Sequence, residues 1–131
     1  MNFIAVLLIA SICCCSFGAC QTIEKNTTYI TQYPPLPLNE SIQDYHGKKI
    51  CLQGKKATVI HQHMMKGSIS NEQHIYIDYN KGQQLVAYYN NLKIPNDKKV
   101  HKFYGTVHKI SGAGKGGGPH TEYYLDLDKV E

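Results

Sequence analysis

The chain opens on a ten-residue apolar run, residues 3–12 (FIAVLLIASI), and then changes character. From residue 47 onward apolar and polar residues alternate in short stretches. Residues 74–79 place Ile75, Ile77 and Tyr79 on one face and His74, Tyr76 and Asp78 on the other, the period of a half-buried strand. Lys81-Gly82 predicts a hairpin turn, and residues 83–89 (QQLVAYY) return from it. Residues 120–130 alternate again, with Tyr123, Leu125 and Leu127 inward and Glu122, Tyr124, Asp126 and Asp128 outward. Two longer strands are expected over 48–63 and 99–110. Their internal glycines, Gly54 and Gly105, mark a bulge or bend. A polar loop with Pro95 and a Gly-rich loop at 112–119 (GAGKGGGP) separate the later strands, and no stretch sustains a helical period.

This pattern predicts an all-β domain over residues 46–131, a small five-stranded barrel, closed or nearly so. The segmentation resembles the OB-fold, whose five strands form such a barrel. The connection at 90–98 is too short for a proper helix between the third and fourth strands. A two-sheet sandwich is the alternative architecture. Several strings, Gly47-Lys48-Lys49, Gln62-His63-Met64, residues 84–89, Tyr104-Gly105-Thr106-Val107 and His120-Thr121-Glu122-Tyr123, together resemble a group of small bacterial OB-like lipoproteins and secreted domains of unassigned function. That resemblance implies a fold and an extracytoplasmic address, and it implies no activity.

The apolar run is too short to span a bilayer, which takes about 20 residues, and it has the length of a signal-peptide core. Small residues and Cys20 follow, in Ser16-Phe17-Gly18-Ala19-Cys20, which resembles the bacterial lipobox. Phe17 stands where Leu is usual, and no Lys or Arg precedes the apolar run. The expectation is a signal peptide over 1–19, a lipid on Cys20 and a flexible tether over 20–45 that holds the domain to a membrane. The membrane is the outer one if the source has two, because Gln21 is not the Asp that resembles an inner-membrane retention signal. Ordinary secretion with cleavage after Ala19 is the alternative, and bulky Phe17 fits it poorly. Acylation of Cys13, Cys14 or Cys15 would require that the segment stay uncleaved. With Cys20 lipidated, Cys51 has no partner and reads as a buried thiol. Without the lipid, a Cys20–Cys51 disulfide becomes available. The tether contains Pro34-Pro35-Leu36-Pro37, which favours extended polyproline geometry. Asn26 and Asn39 open glycosylation sequons that matter only in a eukaryotic source.

Composition narrows the chemistry. The 14 basic residues are all Lys, Trp is absent, and net charge is +4. Without Arg the bidentate reader of phosphate and guanine is missing, which ranks nucleic acid low as a partner and removes the phosphate clamp of an OB-fold nuclease. The absence also fits an AT-rich genome. The sharpest cluster is His61-Gln62-His63-Met64-Met65. On a strand His61 and His63 share a face, and with Met64 and Met65 they suit copper or zinc. The simpler reading of the same residues is a polar strand face, with Met64-Met65 plugging the barrel end or filling a loop, since no metal-ligand spacing fixes a set.

The Gly-rich loop holds Lys115 but lacks P-loop spacing. Glu122, Asp126 and Asp128 read as a solvated face paired with lysines such as Lys102 or Lys109. Lys48-Lys49, Lys55-Lys56 and Lys98-Lys99 with Lys102 are three separate basic spots that form an anionic-ligand or anionic-lipid patch if the barrel gathers them. The expected function is a non-enzymatic, lipid-anchored binding module of the cell envelope. It grips a protein partner or envelope polymer through Tyr76, Tyr124, Lys102 and Lys115. A periplasmic metal-binding protein using the His/Met cluster, with copper or zinc, is the alternative.

Overall fold

The computed structural model describes residues 32–61 and 73–131. A 3-10 turn, Ile42–Tyr45, is followed by five strands: β1 (Lys49–Lys56), β2 (Gln73–Tyr79), β3 (Gln83–Tyr89), β4 (His101–Ala113) and β5 (Pro119–Val130). They close in the order β1-β2-β3-β5-β4, all neighbours antiparallel except the parallel pair β3–β5. This is the all-β, OB-like barrel that the alternation predicts. The connection from β3 to β4 carries no helix. Its Leu92 and Ile94 instead pack on the core, while Ile42 and Tyr45 of the 3-10 turn do so from the segment before β1.

The core follows from the period-two pattern. Ile50 and Leu52 of β1, Ile75, Ile77 and Tyr79 of β2, Leu85 and Ala87 of β3, Phe103 and Val107 of β4, and Leu125 and Leu127 of β5 fill the interior. Closing so few strands demands sharp bending, and the two strand glycines supply it. At Gly54, β1 is paired with β4 and β2 at once, and a Cβ there would lie 2.6 Å from the Asp78 carbonyl oxygen. At Gly105 the β4–β5 register shifts, and a Cβ would overlap the backbone oxygen of Asp126.

Three expected boundaries move. The first strand ends at Lys56 rather than near residue 63: the Ala57 N–H still follows the β2 ladder, to the Tyr76 carbonyl at 2.8 Å, and the chain then bends at 58–59, where the Gln84 amide holds the Val59 carbonyl. The fourth strand runs on to Ala113, clamped to β5 by Ser111 and Thr121 hydroxyls 2.8 Å apart. The Gly-rich loop therefore shrinks to 114–118, closed by Gly114 N–H to Gly118 O at 2.8 Å.

The largest change concerns the tether. From Tyr33 onward the segment expected to be free is docked on the barrel. β2 reaches β1 only at Gly54, Lys55 and Lys56, which leaves the first half of that β1 edge bare. Residues 34–36 take the place. The Cys51 N–H donates to Pro34 O at 2.9 Å, and Leu36 N–H donates to Cys51 O at 3.0 Å. Leu36 is the one residue of Pro34-Pro35-Leu36-Pro37 that has an N–H, and it is the one the edge needs. Pro35, bridged in parallel to Cys51, presents no donor outward, so the strap ends the sheet instead of offering it a new edge.

Tyr33 anchors the strap. It is 5% exposed, packs edge to face on Tyr104 with centroids 5.6 Å apart, and donates its hydroxyl to Asp128 Oδ2 at 2.8 Å. Cys51 is buried beneath this pair as a free thiol, and burial raises its pKa. Tyr104 donates to Glu131 Oε2 at 2.8 Å. Burial first, then that carboxylate and Cys51, hold its phenol well above the usual tyrosine range.

Two outcomes follow from this packing. Gly105→Ala is expected to cost about 1–3 kcal/mol or more in urea unfolding, whereas Gly116→Ala, with open space around it, is expected to be close to neutral. Above pH 10 the unfolded chain releases its Tyr104 proton while the folded chain keeps it, so stability falls as pH rises past 10. Tyr33 and Tyr79, also raised chiefly by burial, add to the same decline. Tyr104→Phe should lose stability at pH 7 and show a shallower fall in thermal melts between pH 10 and 12.

Candidate functional site

The outward side chains of β2, β3, β5 and β4 line up in rows fixed by register. Tyr76 lies opposite Val86, Val86 beside Tyr124, and Tyr124 opposite His108. One step along, His74 faces Tyr88, Tyr88 lies beside Asp126, and Asp126 faces Thr106. Five aromatic rings from four strands thus join into one array. His74 meets Tyr76 at 5.7 Å and Tyr88 at 5.8 Å, Tyr88 meets Tyr124 edge-on at 5.2 Å, and His108 stacks on Tyr124 at 5.4 Å with planes 26° apart. These distances are those of attractive ring pairs. Val86 and Tyr88 point away from the barrel core and are nevertheless buried, at 5% and 3% exposure. The flanking side chains are half-buried, apart from exposed His74.

The next row carries polar chemistry. Asp78 lies opposite Gln84, and Glu122 opposite Ile110. Gln84 is a buried polar residue whose amide is fully used. Nε2 donates to Asp78 Oδ1 at 2.7 Å and to Val59 O at 2.8 Å, and Oε1 accepts the His61 N–H at 3.0 Å. One side chain therefore pins the beginning of the β1–β2 loop across β2 and β3. A cleft of about 520 Å³ opens beside it, lined by His61, Tyr76, Gln84, Val86, His120 and Glu122 among others. It is continuous with the aromatic array through Tyr76 and Val86. Within it, His120 Nε2 lies 3.1 Å from Glu122 Oε1. A shelf of flat apolar faces beside a cleft of donors and acceptors is an arrangement suited to binding.

The residues expected from sequence divide. Tyr76 and Tyr124 belong to the array. Lys102 does not: it lies opposite Gln53 of β1 and exchanges backbone hydrogen bonds with Glu131. Lys115 is at the tip of the β4–β5 hairpin, beyond the Ala113–Pro119 pair and some five residues from Tyr124 along β5. The carboxylates Glu122, Asp126 and Asp128 meet His120, His108 (4.0 Å) and Tyr33 rather than Lys102 or Lys109.

His61 follows the end of β1 and is not itself on a strand. His63, Met64 and Met65, like Cys20, lie outside the described residues. Among the described residues no three His, Cys, Asp or Glu side chains are grouped to hold a metal ion, and no helix is long and apolar enough to cross a membrane.

Sequence reasoning missed His74, Tyr88, His108 and Gln84. His74 had a signal, since it shares strand parity with Tyr76, and His108 meets Tyr124 only through the β4–β5 register. Tyr88 and Gln84 had none, because QQLVAYY is nearly continuous in burial and hides which residues face out.

Gln84→Leu removes both ties to the loop. It is expected to cost about 1–3 kcal/mol in urea unfolding and to speed hydrogen exchange at the His61 amide, with amides of β4 and β5 unaffected below global unfolding.

Compared with protein-family models and with curated proteins, the chain matches none, so its function is argued from this geometry.

Proposed function

We propose that this chain is a non-enzymatic binding module of the cell envelope, held to a membrane by a lipid on Cys20, and that it binds an envelope glycan along the aromatic face of β2, β3, β5 and β4. The observation that carries the reading is the unbroken array Tyr76–His74–Tyr88–Tyr124–His108. Tyr76, His74, Tyr124 and His108 present ring surface to the apolar faces of sugar rings, and buried Tyr88 braces them from between. The neighbouring cleft supplies Gln84, His120 and Glu122 for hydroxyl groups. OB-folds take extended polymers, oligosaccharides among them, on the outer face of strands two and three, flanked by the first and last hairpin loops. Three rings of the array, His74 and Tyr76 of β2 and Tyr88 of β3, lie on those two strands, which supports the reading.

Charge favours a glycan over a polyanion. The outward rows from Asp78 to Ile110, Tyr76 to His108 and His74 to Thr106 contain Asp78, Glu122 and Asp126 and no Lys. A nucleic acid would meet carboxylates where it needs cations. The buried Cys51 thiol, under Tyr33 and raised in pKa, is a poor nucleophile, which argues against thiol chemistry. A metal-binding reading keeps one supporting fact, that His61 shares the cleft with His120 and Glu122. Copper or zinc titration of the full chain decides it. Stoichiometric binding that His61→Ala abolishes would replace the glycan reading.

Retention on insoluble envelope polysaccharide tests the main proposal. Tyr124→Ala and Tyr76→Ala should each weaken binding by about 3- to 10-fold, the equivalent of one lost ring contact. Lys102→Ala and Lys115→Ala should leave it within about twofold, as side chains outside the array. Undiminished retention by both Tyr variants sinks the proposal, as does salt-sensitive binding to single-stranded nucleic acid in its place.

A further inference from the structure

Exposed aliphatic side chains and lysines of this domain gather at a second surface, beside β1. Leu38 and Val100 are 79% and 59% exposed, and both line a groove of about 750 Å³ together with Pro35, Leu36, Lys55 and Asp78. Val59 and Ile60, also exposed, lead into His61 on the same groove. Lys56 Nζ donates to Asn96 Oδ1 at 3.0 Å, which draws the segment carrying Lys98 and Lys99 to the end of β1. Lys81 stands in the β2–β3 turn between Asn80 and Gly82, two more residues of the groove. Two of the three separate basic spots in the sequence therefore converge, and Lys48-Lys49 at the far end of β1 does not join them.

The acidic groups nearby are engaged. Asp97 Oδ1 accepts the Lys99 N–H at 3.0 Å and lies 2.6 Å from His101 Nε2, Asp78 is held by Gln84, and Glu40 accepts from Tyr45. These carboxylates keep their charge, but on this rim Lys55, Lys56, Lys81, Lys98 and Lys99 outnumber Asp78 and Asp97, so the groove has an apolar centre with a net cationic rim.

We propose that this surface rests on an anionic lipid bilayer, with Leu38 and Val100 entering the headgroup layer and Lys55, Lys98 and Lys99 on lipid phosphates. Partial insertion of aliphatic side chains ringed by lysines is how peripheral proteins add a second contact to a lipid anchor. The inference rests on the reading of Cys20 as the anchor. Twelve residues, 21–32, separate Cys20 from Tyr33. They reach at most about 40 Å, and the strap covers only about 17 Å from Tyr33 to Leu38 at strand rise. An anchor at Cys20 therefore lets the groove meet the same bilayer. The aromatic face is centred on β3 and β5, the two strands not adjacent to β1. The array stays open to a polymer while the groove is on lipid, and the cleft beside the array adjoins the groove at His61 and Tyr79.

The chain has no Trp, so Val100→Trp is a clean fluorescence probe at an exposed position. Gly116→Trp, at the tip of the hairpin that runs away from His101, is the distant control. Both are made in the full lipidated protein and placed on vesicles of phosphatidylcholine, with or without phosphatidylglycerol, doped with brominated lipid. In phosphatidylglycerol vesicles the V100W probe should be quenched about threefold more than the G116W probe, as insertion of one surface and not the other requires. The added double change Lys98→Gln, Lys99→Gln should erase that difference. Equal weak quenching on vesicles that carry the protein overturns the docked surface and leaves the anchor standing. Protein that does not float with vesicles overturns the anchor, and the docking falls with it. Equal V100W quenching with and without phosphatidylglycerol overturns the requirement for anionic lipid.

Discussion

The structure depends on how one strand satisfies both of its edges. β1 hydrogen-bonds β4 along one side from Lys49 to Gly54, but β2 covers only its last three residues on the other. A five-stranded barrel cannot close without this stagger, since strands must tilt and shear to meet. The stagger leaves backbone groups of Cys51 without a sheet partner, and a buried unpaired group costs about 1–3 kcal/mol. The strap resolves it with one acceptor, Pro34 O, and one donor, Leu36 N–H. Gly54 and Gly105 belong to the same solution, because each lets a backbone carbonyl from the neighbouring strand come closer than a side chain permits.

Closure also sorts the surface. Two neighbour pairs in the ring, β1–β4 and β3–β5, are joined by no hairpin, and the parallel register of β3 with β5 brings Val86 beside Tyr124 and Tyr88 beside Asp126. An aromatic array spanning four strands exists only because the β3–β5 pairing sets two hairpins side by side. The other flank of the barrel, where β1 meets the strap, gathers lysines and aliphatic residues. The two surfaces differ in composition and meet at His61 and Tyr79.

Much of the barrel was legible in the sequence because strand parity is local. Ile75, Ile77 and Tyr79 against His74, Tyr76 and Asp78, and Leu125 and Leu127 against Tyr124 and Asp126, follow from alternation alone, and the bends follow from Gly54 and Gly105. The site was only half legible. Tyr76 and Tyr124 were identifiable as outward aromatics, but their union needs the register of β3 with β5, which depends on residues 38 positions apart in the chain. Lys102 and Lys115 were grouped with them on charge, and register separates them. The strap was read as a linker for a physical reason: a Pro-rich segment lacks the donors of an ordinary strand. It serves as an edge because this edge needs only a single donor. The early end of β1 is illegible because Val59 and His61 are held by the Gln84 amide, a long-range tie without a local signature.

The strap has a mechanical meaning as well. Any tension that reaches the domain through residue 32 is delivered to Tyr33, and then to two backbone hydrogen bonds, before any pairing between strands of the barrel has to break. These contacts can give way in sequence, lengthening the connection while Gly54, Gly105 and the core they close stay unloaded. A domain so attached yields by paying out its own leash. Displacement is absorbed at an edge that can re-form, and the surface across the barrel keeps its shape.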